Sequence, residues 1–386
     1  MSLWFSASAV VPQLETEWSL SGAQQSWLTM GLQLGFVAGA LLSASLGLPD
    51  RVSAVRLAAV SAMAGAVLNA SIPLLGAGFE GAVVLRFLTG AALAGVYPPG
   101  MKLMASWTRV NRGLSIGALV GALSLGSAVP HLLNAVPLFG AAGMPPWRSV
   151  LLVASACGVA AAFILWLGVD EGPYLGRSRT FRWSLAGRSL TDRAIRLANF
   201  GYLGHMWELY AVWTWGPVFL ISSFAAAGES MAAARMAGFG MIGIGAISCV
   251  LAGVLADRWG RTIVAGWSLA ISGACCLLAT RLADRPVALT ILCLVWGFAV
   301  IADSAQFSAA VSELSEPELV GTALTMQTCL GFLLTMVSIW LVPILVERGG
   351  WELAFYVLAL GPVFGIVSLW RLRALPEAER MASGRR

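Results

Sequence analysis

The stretch Gly253 to Arg261, GVLADRWGR, is a short charged turn between two long apolar runs. It has an echo earlier in the chain. Gly47 to Arg56 reads GLPDRVSAVR, so Asp50-Arg51 anticipates Asp257-Arg258, 207 residues on, with Ser53 where the later copy has Gly260. Two further landmarks repeat in the same order near the same offset: Gly113 with Gly321, and Trp147-Arg148 with Trp351-Glu352. Three registers in one order indicate duplicated halves running in parallel, an arrangement that places a binding site at their interface near mid-membrane.

Outward from these turns the composition names the solvent. The 386 residues are 58% hydrophobic and 11% charged, with a mean hydropathy of +0.81. A water-soluble domain carries about 25% charged residues, so lipid is the expected solvent. The net charge of +5 does not indicate nucleic acid, because the arginines lie in short segments between apolar runs rather than on one basic face. All six cysteines sit within apolar runs, which predicts free thiols, with no disulfide framework and no metal site.

Twelve spans are read, at roughly 1–14, 25–47, 56–77, 81–107, 113–138, 149–169, 197–222, 232–255, 262–281, 286–311, 321–346 and 352–371. The fold class is therefore all-α: two pseudo-symmetric six-helix bundles in a membrane. The first run lacks the basic n-region of a signal peptide and reads as a span. From Met1 to Leu14 it reaches ~21 Å against a hydrocarbon core of ~30 Å. It therefore reads as truncated at its N-terminus, with the true start expected upstream. Of the 24 lysines and arginines, Arg86 and Lys102 fall inside spans, five lie on one side, and the remaining 17 share the side of both chain ends. Basic residues bias to the cytoplasm, which predicts both termini inside, at the cell (inner) membrane. The expected domains are 1–169, a polar linker 170–196 that can carry a short surface helix, 197–372, and a disordered tail 373–386.

Across the whole chain these features resemble the major facilitator superfamily. GVLADRWGR fits that family's inter-helix signature, G-x-L-A-D-R-x-G-R, at every fixed position, and the first copy fits it loosely. The resemblance implies a gating motif at Gly253, Asp257, Arg258, Gly260 and Arg261, echoed by Asp50 and Arg51. Each aspartate would cap a neighbouring helix and the arginines would clamp the gate, as helix-terminus electrostatics allow. A plain positive-inside turn is the alternative reading. LRFLTGAALAG, from Leu85 to Gly95, resembles the family's fourth-helix signature, which implies that Arg86 faces the cavity; Thr89 stands where many members have glutamine. The fifth span holds Gly117, Gly121, Gly126 and Pro130 but no Gly-Pro pair of the antiporter branch.

An ionisable group at bilayer depth costs at least ~2.5 kcal/mol, so it is a functional candidate by default. Six qualify: Arg86, Lys102, His131, His205, Glu208 and Asp303. Tyr202, His205 and Glu208 are spaced by three and share a helical face. Glu208 can load a proton for coupling or touch solute; a structural hydrogen bond or ion pair is the competing reading. Asp303 and Gln306 share a face in the tenth span, and Ser304 with Ser308 forms a polar strip expected to face a cavity or a neighbour helix. Arg86 and Lys102 lie ~24 Å apart along one helix and cannot hold the same ligand; Lys102 can snorkel to the interface. Gly31, Gly35 and Gly39, and Gly117 with Gly121, form faces for close helix packing.

The expected function is secondary transport of a small polar solute, an anion among the candidates, by alternating access with proton symport. Proton-driven efflux of amphipathic compounds is the alternative, and a transport-dead sensor or scaffold is the alternative of another class. No nucleophile elbow, phosphate loop or zinc pattern is present, so no enzyme and no cofactor are expected. The expected partners are lipid, solute and protons, with no nucleic acid, and the chain is expected to work as a monomer.

Overall fold

A computed structural model describes residues 1–107, 112–136, 146–174, 181–316 and 318–386, apart from the side chains of Asp50, Ala105, Arg112, Gly113 and Ser189. The Asp50 carboxylate of the first motif copy, Arg109, Arg177, Arg179 and the end of the fifth span therefore lie outside it. The described residues are helical throughout and contain no strand.

The helices, numbered along the chain, are α1 (2–18), α2 (Gly22–Ser45), α3 (Ala54–Leu74), α4 (Phe79–Met104), α5 (Leu114–Ala135) and α6 (Trp147–Gly168). The second set is α7 (Arg193–Ala226), α8 (Met231–Trp259), α9 (Arg261–Leu282), α10 (Pro286–Leu314), α11 (320–348) and α12 (351–373). The last two form one continuous helical run interrupted at Gly349 and at Gly350, whose φ of +69° only glycine adopts readily. The chain doubles back there: α7 touches Gly331 through Tyr202 and Gly361 through Gly204, positions that a straight helix would hold ~45 Å apart.

Among the described residues, ten helices are long and apolar enough to cross a membrane, the α11–α12 run being one of them. The N-terminal run was expected to end at Leu14, but it continues as a 3-10 turn, Ser8–Val10, and a further helix to Trp18. The helix starts follow local chemistry. Ser21 and Gln24 form a reciprocal capping box on α2, Asp192 caps α7 at 2.9 Å and Ser230 caps α8 at 3.2 Å. The linker forms two short helices, Trp183–Ala186 and Arg188–Thr191, and α7 begins earlier than the sequence suggested.

Close packing uses the glycines. A Cβ on Gly35 would stand 1.8 Å from the Phe87 carbonyl, and one on Gly90 would stand 1.9 Å from that of Leu32, so α2 and α4 pack backbone to backbone. The same device joins the two bundles. Gly117 and Gly121 of α5 face the carbonyls of Cys249 and Ala246 on α8, and Gly22 of α2 faces Pro343 of α11. Polar ties reinforce that second seam, Ser26 to the Ile339 carbonyl and Thr335 to Gln33 Oε1.

Candidate functional site

Between the bundles, at the middle of the molecule, lies a cavity of about 50 Å³. The first six helices contribute Met1, Trp4, Phe36, Tyr97, Val120, Leu123 and Ser127; the last six contribute Tyr202, Met206, Leu209, Tyr210, Ile301, Ser304, Ser308, Thr328 and Phe332. The rings close on one another: Trp4 to Phe36 at 5.0 Å, Trp4 to Phe332 at 5.1 Å and Tyr210 to Phe332 at 5.1 Å. Hydroxyls supply the polarity, and no charged side chain is among the lining residues. About 50 Å³ has room for only a few waters.

The sequence candidates do not converge on it. Of the eight proposed coupling or binding residues, Tyr202 is the one that lines the cavity, joined by the Ser304–Ser308 strip. Residues spaced by three drift around a helix by ~60° per step, and along α7 that drift separates three roles. Tyr202 reaches the cavity. His205 turns to Asp303 on α10, Nδ1 to Oδ1 at 2.8 Å, both buried. Glu208 points into a buried seam of the second bundle, where Oε1 accepts from Ser272 (2.7 Å), Cys276 (3.2 Å) and Trp296 Nε1 (2.7 Å).

Arg86 corrects its expected role, since it does not reach the cavity. Its guanidinium donates to the carbonyls of Leu3 (2.6 Å), Leu28 (3.0 Å) and Trp4, and to Ser6 Oγ (3.3 Å) and Asn69 Oδ1 (3.4 Å). The first helical segment ends at Phe5, which leaves the Leu3 and Trp4 carbonyls near a helix end where they can accept. Each guanidinium nitrogen has a neutral partner, and no carboxylate is among those described. Lys102 donates to the Pro49 carbonyl at the helix end, consistent with snorkelling. His131 is buried in α5 and is not among the residues that line the cavity.

Gln306 also parts from Asp303. α10 breaks at Asp303, and Gln306 belongs to the charged turn, accepting from Arg261 at 3.0 Å. In that turn Asp257 pairs with Arg261 at 3.2 Å rather than capping α9, and the residues before α5, a further helix start it could cap, lie outside the described residues. Arg261 in turn is held by Glu313 at 2.8 Å, a residue the sequence reading missed because it lies 52 positions away. The tail, expected to be disordered, lies on this turn: Pro376–Gly384 forms a 3-10 segment with Ala378 and Met381 fully buried, the Ala382 amide donates to Glu313 Oε2 at 3.0 Å, and Arg385 donates to the Asp257 carbonyl. Gly253 and Gly260 are buried, while Arg258 is exposed. In the first copy, Arg51 is exposed, and α3 is capped by Ser53 (3.5 Å) and by Glu171, which accepts from the Ala54 amide at 2.7 Å. A serine replacing the motif glycine thus serves as a cap.

Among solved structures, the chain superposes on the proton:xylose symporter XylE bound to 6-bromo-6-deoxy-D-glucose with a TM-score of 0.72 at 16% identity, covering 96% of this chain and 93% of that one. XylE of E. coli in a partially occluded inward-open conformation gives 0.70 at 16% identity over 96% and 94%. A bacterial homologue of the human lysosomal transporter Spinster, inward-facing and unoccupied, gives 0.65 at 17% identity over 97% and 93%. No curated protein sequence matches the chain. The sequence profile of the Major Facilitator Superfamily matches residues 1–338 and 200–386. With two helical bundles closing on a central chamber and a profile match from one end to the other, the chain belongs to the Major Facilitator Superfamily of membrane transporters.

Proposed function

We propose that the protein is a proton-coupled secondary transporter whose solute sits in the central chamber and carries no net negative charge. The observation that supports this most is the lining: aromatic rings and hydroxyls from both bundles, with no charged side chain among the described lining residues to meet an anion. An anion in such a chamber would lose its hydration without a counter-charge, a cost of several kcal/mol. The sequence-stated anion depended on Arg86, whose donors are spent on carbonyls. The chamber is too small for a solute, so the bundles part to admit one, and the glycine-faced seams between them offer a sliding contact.

The coupling proton belongs to the His205–Asp303 pair. That pair lies one residue behind Ser304 and one turn from Tyr202, both in the lining, whereas Glu208 is enclosed by three donors of its own bundle. Symport into the cell is the direction taken, with both termini and the GVLADRWGR turn on the cytoplasmic side of the inner membrane, in accord with the arginine bias. The site is complete within one chain, which suits a monomer. Efflux of amphipathic compounds is the second reading, favoured by the apolar share of the lining.

A thermal-shift screen against sugars, amphipathic drugs, organic acids and inorganic anions finds the solute. The expected hits are uncharged or cationic; stabilisation by anions alone would overturn the reading. In proteoliposomes, Asp303→Asn is expected to abolish accumulation driven by a pH gradient while counterflow persists. Undiminished accumulation would remove Asp303 from coupling, and the sign of the driving gradient separates uptake from efflux.

A further inference from the structure

The seam between α5 and α8 joins the two bundles along much of its length. Beyond Gly117 against Cys249 and Gly121 against Ala246, a Cβ on Gly245 would stand 3.0 Å from Ser124 Oγ, and one on Gly243 would stand 3.6 Å from that of Ala128. Small residues carry the contact until its far end, and there a charge crosses it. Arg235 of α8 donates through Nη1 to the Asn134 carbonyl of α5 at 3.1 Å. Arg235 precedes Asp257 by 22 residues, ~33 Å of helix, so this tie lies at the end of the molecule opposite the charged turn.

The partner suits the charge. Asn134 lies in the last turn of α5, where helix carbonyls run out of amides to accept from and the helix dipole is negative, so a buried cation is favoured there. Asn134 is itself held to α1: its Nδ2 donates to the Ala9 carbonyl at 2.6 Å, and its Oδ1 accepts from Gln13 at 2.8 Å. Ala9 sits in the 3-10 turn of α1, the helix that carries Met1 and Trp4 into the chamber wall. Arg235 therefore grips α5 and, through Asn134, the helix that lines the chamber. An open cleft of about 570 Å³ lies in front of it, lined by Gln13, Glu17 and Arg148 of the first bundle and by Ile221, Met231 and Arg235 of the second. When this end parts, the guanidinium passes from the carbonyl into water. The closed seam loses hydration of the charge and gains the hydrogen bond, and parting reverses that exchange.

We propose that Arg235 is a positioning residue of the transport cycle: by donating across the seam to Asn134 it latches this end of α8 to α5 and α1, and it sets the share of molecules in which that end is closed. This rests on the reading above that the bundles part to admit solute. The latch adds a directional tie where the rest of the seam is apolar, and its release exposes a charge that water accepts, so it opens without unfolding a helix.

Pulsed distance measurement reads the latch without a solute. In a Cys157→Ser background, spin labels go on cysteines substituted for Glu80 and Asp284, exposed residues at this end of opposite bundles. Arg235→Met and Arg235→Gln both break the tie, and each also takes a costly charge out of the membrane. Both are expected to enlarge the long-distance population at least threefold without lowering the melting temperature in detergent. Arg235→Lys keeps a cation near the carbonyl and is expected to recover at least half of the parent distribution, which a purely structural role would not require. Distances unchanged in the Met and Gln variants, or a Lys variant that matches the Met variant, would overturn the latch. Two populations in the parent that are indifferent to Arg235 would sink the latch alone; a single population in every protein would sink the parting of the bundles with it. The Asp303→Asn experiment has no bearing on these distances, so proton coupling fails or stands separately.

Discussion

At the scale of single residues, the two bundles solve one problem with opposite charges. In the first, Arg86 on α4 ties α1 through the Leu3 and Trp4 carbonyls and reaches Asn69 on α3. In the second, Glu208 on α7 ties α9 through Ser272 and Cys276 and α10 through Trp296. Both are buried, and both are solvated by neutral groups of their own bundle. Glu208→Gln turns an amide N–H₂ toward three donors or leaves donors unmatched, which costs roughly 1–3 kcal/mol. The expected result is a lower melting temperature in detergent with proton coupling retained; lost coupling at unchanged melting would contradict it. Arg86→Met strips donors from three carbonyls at once and is expected to cost more, roughly 3 kcal/mol or above, read as the larger drop in the same melting series. That these side chains are expensive was legible in the sequence, because an ionisable residue in an apolar run declares itself. Which neighbours share the expense was not, because Ser272, Cys276 and Trp296 are ordinary residues until the helices that carry them come together.

At the scale of helices, small residues decide distance. Gly35→Ala drives a Cβ into the Phe87 carbonyl at 1.8 Å, against backbone that cannot rotate away. It is expected to destabilise the first bundle by roughly 1–3 kcal/mol, seen as reduced yield and an earlier melting transition. Gly266, with nothing within 4 Å of its Cβ position, serves as the comparison: alanine there is expected to leave both unchanged. The glycine ladders were readable as packing faces, and their partners divide by role. Gly31, Gly35 and Gly39 serve α4 within one bundle, whereas Gly117 and Gly121 serve α8 across the two. Spacing identifies a face but not what lies opposite it. The same limit explains Tyr202, His205 and Glu208, which share one side of α7 in projection and three separate environments in space.

At the scale of the molecule, the seam between α2 and α11 is the place to arrest the cycle. A Cβ on Gly22 falls 2.9 Å from that of Pro343, within a small shift of the ~3.8 Å that a disulfide spans. A Gly22→Cys, Pro343→Cys pair in the Cys157→Ser background is expected to cross-link under oxidant, stop counterflow of the screened solute and recover with reductant. Transport by the cross-linked protein would mean that this end never parts. The sequence alone determined the spans, the duplication and the family, because the bilayer requires each crossing to be a long apolar helix with its backbone hydrogen bonds satisfied internally, and that requirement is written locally. Only the tertiary structure decided that Arg86 is spent on carbonyls, that His205 meets Asp303, that Glu313 holds Arg261 and that the tail lies on the charged turn. Each of these is a pairing between segments far apart in the chain, settled by which helices pack together, and side-chain chemistry alone leaves many such pairings open.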